Sequence, residues 1–157
     1  MDDLLIRIDE ITKYGLAKID SNHNRLLDLK INLLGLISIR FYIQMPEEPC
    51  IDKPVKQYSY DEIRRTVVFN FPDFGFYHTV LNPLDIYNEP NLAIGDSVDD
   101  ITDVIKGLLE IKDKYINSTA CDFMSSFIIE YDQHLKYHVL NLLQYIESYE
   151  SANSSKD

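Results

Sequence analysis

Cysteine is scarce in this chain. Cys50 and Cys121 are the only two among 157 residues and stand far apart in sequence, too few for a disulfide framework or a cysteine-only metal site, and a reducing cytoplasm is the expected setting. No run of about 18 uninterrupted apolar residues occurs, so no membrane span is expected. The opening MDDLLIRIDE mixes charge into its apolar positions and has no basic start, which argues against a signal peptide. Basic residues are few as well: 15 against 26 acidic ones leave a net charge of −11, poor material for a phosphate-binding surface, and nucleic acid is not expected as a direct ligand. The five glycines are scattered, so no phosphate-cradling loop exists. Neither cysteine lies in a nucleophile signature, and no internal repeat is visible.

What the chain has is helical periodicity and unevenly placed acid. With 45% hydrophobic side chains, 157 residues suffice for one buried core, and a single domain over residues 1–150 with a frayed polar tail at 151–157 is expected. Residues 1–72 carry 11 acids and 10 bases, residues 73–113 carry 9 and 2, and residues 114–157 carry 6 and 3. The middle stretch thus holds −7 of the charge. At its centre, Gly95 to Glu110 opens with Asp96, Asp99, Asp100 and Asp103, where the positive end of a helix dipole favours anions. Ser97 is the expected cap, and Val98, Ile101, Ile105 and Leu108 recur at helical spacing on the face to be buried.

Leu4, Leu5, Ile8, Ile11 and Leu16 mark a first helix over 3–19, ended by turn residues 20–24. Apolar residues cover more than one face of 26–43, which predicts a second helix through the middle of a bundle, stopped at Pro46 and Pro49. Ser59-x-x-Glu62 reads as a capping box for a short third helix, although Val67-Val68 keeps a strand open as an alternative. Phe69, Phe71, Phe74, Phe76 and Tyr77 then crowd nine residues of an irregular connection. They are read as plugging one end of the core rather than lining a ligand pocket. After the aspartate-rich fourth helix, Phe123, Phe127, Tyr131, Leu135, His138, Leu142 and Ile146 predict a last helix over 120–149. At ~1.5 Å per residue it would span roughly 45 Å, long enough to suggest a kink or overhang. The fold class expected is all-α, a bundle of about five helices.

Two candidate sites stand out. His134-x-x-x-His138 sets two imidazoles one helical turn apart, the spacing of paired metal ligands, and the aspartates of the fourth helix are available carboxylates. The plainer reading is a structural core of Asp99, Asp100, His134 and His138 with no cofactor, because His138 lies on the apolar stripe and no glutamate follows His134 as in a metalloprotease helix. The second candidate is the acid of residues 73–113, from which Asp85, Glu89, Asp103, Glu110 and Asp113 are the expected partner contacts. His23, His78 and the pair Arg64-Arg65 are read as packing or surface residues.

The stretch Gly95 to Leu108, preceded by Phe76-Tyr-His-Thr-Val-Leu-Asn-Pro83 and followed by His134 and His138, resembles a bacterial family of unknown function, domain-of-unknown-function family 5063. The resemblance spans roughly residues 30–146 and departs at Leu135 and Lys136, where the family pattern has a tryptophan and a glycine. It implies an all-helical fold with a structural Asp/His core and implies no activity.

Composition leads to the functional expectation. Small size, acidity, eleven tyrosines suited to interfaces and the lack of a catalytic motif fit an immunity protein. It would bind and neutralise a cognate basic bacterial toxin, a nuclease of a contact-dependent growth inhibition system, by covering the toxin's basic surface with carboxylates. A metal-binding or hydrolytic helical bundle using His134, His138 and the aspartates is the alternative, and an acidic scaffold domain without a toxin partner is a third.

Overall fold

The computed structural model describes residues 1–20, 24–47, 54–81, 84 and 92–154. Helix α1 (Asp2–Leu16) buries Leu4, Ile8, Ile11 and Tyr14, and starts with two aspartates and ends near Lys13, as the helix dipole favours. Helix α2 (Arg25–Tyr42) begins where the Asn24 side chain accepts the Leu27 N–H. It does not run through the middle. Only Leu29, Asn32, Leu33 and Leu36 are buried, while Leu27, Ile31, Leu34 and Phe41 face solvent, so α2 is an outer helix packed on α1 and on the C-terminal helix.

The middle belongs to α4 (Ser97–Asn117), which packs against α1, α3, α5 and α6 and buries residues around most of its circumference. Close approach to α1 depends on Gly15, where an added Cβ would lie 2.6 Å from Ile105 Cγ2 and 2.8 Å from Ile63 Cγ2. Helix α3 (Tyr60–Asn70) is capped by Ser59 as its capping box requires, and its valines stay helical because Ile63 and Val67 share the buried side while Val68 faces out. Its last residue, Asn70, is buried and donates to the carbonyls of Tyr14 and Ala17 while accepting from the Ile19 N–H. One side chain thus satisfies the backbone groups left over where α1 ends.

The connection between α3 and α4, expected to be irregular, contains an antiparallel pair, β1 (Phe76–Val80) and β2 (Leu92–Asp96). Alternation explains it: Phe76, His78 and Val80 point outward while Tyr77 and Thr79 are turned in. The aromatic plug is real for Phe71 and Phe74, which stack at 4.7 Å and continue to Tyr145, whereas Phe69 and Phe76 face solvent.

The last helix is one long rod in three parts: α5 (Ala120–Glu130), a π-helical turn at Tyr131–Leu135, and α6 (Lys136–Ser154). Its helical part reaches into the stretch expected to fray, and residues 155–157 lie outside the described ones. Counting this rod once, the chain is the expected five-helix bundle, with a small two-stranded sheet added. Arg40 of α2 clasps Asp132 inside the π turn through two guanidinium nitrogens. No helix among the described residues is long and apolar enough to cross a membrane. Cys121 is disulfide-bonded, and Cys50, the other cysteine of the sequence, lies outside the described residues, so cysteine scarcity alone does not argue for a reducing compartment.

Candidate functional site

Helical geometry sorts the four aspartates at the start of α4. Asp96, not Ser97, is the cap: its side chain accepts the Val98 N–H and lies 3.5 Å from Arg64. Ser97 is fully buried, and its hydroxyl and N–H both donate to the Gly75 carbonyl, tying the base of the hairpin to the helix. Asp99 and Asp100 diverge by ~100° around the axis. Asp99 is exposed and accepts the Tyr60 hydroxyl, so it stands outside the expected Asp/His core. Asp100 turns inward, 6% exposed, with one oxygen 2.8 Å from His138 Nδ1 and the other accepting the Tyr77 hydroxyl. Asp103, one turn later, also faces the histidines, and its Oδ2 lies 3.8 Å from His138 Nε2.

The two histidines come from either side of the π turn's end. His138 is half-buried on α6, and His134, in the turn, is exposed with its Nδ1 2.9 Å from Glu130 Oε1. Their Nε2 atoms face each other at 3.1 Å. An ionised carboxylate only accepts, so both Nδ1 atoms donate, His138 to Asp100 and His134 to Glu130. In neutral rings this leaves a lone pair on each Nε2, the two aimed at one another. Either a proton on one ring or a cation bridging both relieves that opposition.

Asp103 serves either, as an anion beside an imidazolium or as a third ligand to a cation. Nε2 of both histidines and a carboxylate oxygen of Asp103 lie within 4.8 Å of one another, and this is the one such trio of donors among the described residues. A separation of 3.1 Å is short enough for both nitrogens to reach one ion at bond lengths of about 2 Å. The outer partners match as well: ligating histidines commonly donate their second N–H to a carboxylate, as both do here. Electrostatics follow from the same contacts. The Asp100 hydrogen bond raises the His138 pKa above its usual value against the opposing effect of burial, and burial raises that of Asp103 despite His138 nearby.

Of the expected partner contacts, Asp85 and Glu89 lie outside the described residues. The other three are half-buried and engaged within the chain: Asp103 with the histidines, Glu110 with Lys106 at 2.8 Å, and Asp113 with the Lys56 N–H and Asn117. His23 is also outside the described residues, and His78 is exposed on the hairpin. Sequence reasoning missed Glu130 and Tyr77. Glu130 stands four residues before His134, a spacing that can be read in the sequence, whereas Tyr77 reaches the site only through strand pairing. A cavity of about 410 Å³ lined by Glu110, Lys114, Asp122 and Ser125 meets this site through Glu130.

No family model, curated protein or solved structure matches the chain.

Proposed function

We propose that the chain is a divalent-metal-binding helical bundle, with His134 Nε2, His138 Nε2 and Asp103 Oδ2 as the protein ligands. The observation that carries the reading is the pair of Nε2 atoms 3.1 Å apart whose Nδ1 atoms are both committed to carboxylates. Two imidazoles and one carboxylate suit a borderline first-row ion such as zinc. His134 is exposed, so water or a small ligand would have access to an ion held there. A bound ion would supply Lewis acidity suited to hydrolysis, with the chain supplying the ligands and the carboxylates behind them.

The toxin-neutralising reading is supported by the −7 of residues 73–113, and its described contact residues add no exposed acidic patch to that support. Calorimetric titration of chelator-treated, tag-free protein with zinc and cobalt tests the metal reading. One saturable equivalent is expected, lost in the His134→Ala/His138→Ala double variant. Absence of saturable binding, or equal binding by the double variant, overturns it.

A further inference from the structure

The hairpin is small, with a largely solvent-facing outer side, yet one of its inward residues reaches the centre of the site. Tyr77 lies opposite Gly95 in the strand register. Its ring leans across that position, so a Cβ on residue 95 would overlap the ring and hydroxyl. Tyr145 of α6 packs on the same ring at 5.6 Å between centroids. Held between glycine and tyrosine, the ring delivers its hydroxyl to Asp100 Oδ2. Tyr145 and His138 stand on that same helix, α6. The chain of contacts therefore closes on itself, from Tyr145 on α6 through Tyr77 to Asp100 on α4 and back to His138 on α6.

We infer that Tyr77 is a positioning residue of the metal centre, with Gly95 as the space that admits it. The inference rests on the metal-binding reading above. A carboxylate can rotate and swap oxygens. Asp100 is nearly sealed from water, and with Oδ2 engaged by Tyr77 its Oδ1 is fixed on His138 Nδ1. That contact sets the tautomer and turns Nε2 toward Asp103 and His134. Removing the hydroxyl frees the carboxylate to turn, and the ring it orients loses both aim and donor strength. Partners at this remove commonly change metal affinity by about 10–100-fold.

The test uses the full chain. Tyr77→Phe removes one oxygen and keeps the ring against Gly95 and Tyr145. Zinc affinity is measured by competition with a chromophoric chelator, and the visible absorption of the cobalt-loaded protein reports ligand geometry. The expected result is zinc affinity about 10-fold or more weaker with an altered cobalt spectrum. Thermal unfolding in chelator separates this from plain destabilisation, and Val80→Ala, an exposed hairpin residue, controls for a loosened hairpin by leaving affinity and spectrum unchanged. Gly95→Ala, which crowds the Tyr77 ring out of its place, is expected to weaken zinc several-fold and decides the matter if Tyr77→Phe does not fold. Unchanged affinity and spectrum in the folded variants overturn the positioning role while leaving metal binding intact. Failure of the wild-type chain to bind metal removes the proposed function itself.

Discussion

Asp100→Asn isolates the carboxylate on which the site turns, because it keeps shape and volume and removes only charge and acceptor capacity. The native side chain accepts from two donors, Tyr77 and His138, in a position 6% exposed. Hydrogen bonds to a charged acceptor contribute about 1.5–3 kcal/mol each. An asparagine can keep one of them through its oxygen, but its NH₂ must then face the other donor. Relief of repulsion from Asp99 and Asp103 offsets part of the loss, which leaves a net cost of about 2–3 kcal/mol. At roughly 2–4 °C per kcal/mol for a chain of this size, the melting temperature in chelator should fall by about 5–10 °C. If the amide turns its NH₂ to His138, the imidazole must move its proton to Nε2 and ceases to be a ligand, so zinc affinity falls with stability. Scanning calorimetry on chelated protein gives the first quantity and chelator competition the second. The neighbouring Asp99→Asn, at an exposed position, should change stability by only about 0.5 kcal/mol. An Asp100→Asn protein that melts with wild type and binds zinc equally well would refute the account of the site.

Two further outcomes concern the frame around it. Asn70→Ala removes three hydrogen bonds to the backbone at the end of α1 and should destabilise by about 3 kcal/mol, measured by urea unfolding with an unchanged slope. Gly15→Ala improves helix propensity by about 1 kcal/mol but drives a methyl group against Ile105 and Ile63, for a net loss of about 1–2 kcal/mol by the same assay. A stabilised Gly15→Ala variant would show that α1 and α4 have room between them for a methyl group.

Much of the architecture was legible because periodicity and capping are local. The Ser59 cap, the buried stripe of α4 and the divergence of Asp99 from Asp100 all follow from spacing alone. The position of α2 was not legible. Its surplus of leucine and isoleucine looks like a central helix, and nothing local reveals that Ile31, Leu34 and Phe41 face outward. The hairpin was missed because aromatic density masked the alternation at 76–80, and with it went Tyr77. The π turn did leave a trace. Phe123, Phe127, Tyr131, Leu135 and Val139 are buried at four successive steps of four, and the stripe passes through Val139 rather than His138. An α-helix gains ~40° at each such step, so a strictly α-helical rod would carry this row off the core. Local widening corrects the drift.

That correction fixes how the chain can change in length. A π turn is an α-helix holding one residue too many, so deleting a single residue between Phe127 and Val139 restores regular winding with α5 and α6 still in phase, because the shortened α-helical path at ~100° per residue returns to within ~20° of the same face. Phe123, Phe127, Leu142 and Ile146 would then keep their places in the core, and what would be lost is the widened turn that carries His134 beside His138. Homologues that keep the site should therefore keep this segment's residue count while their loops lengthen and shorten, a signature in the gaps of an alignment rather than in its identities.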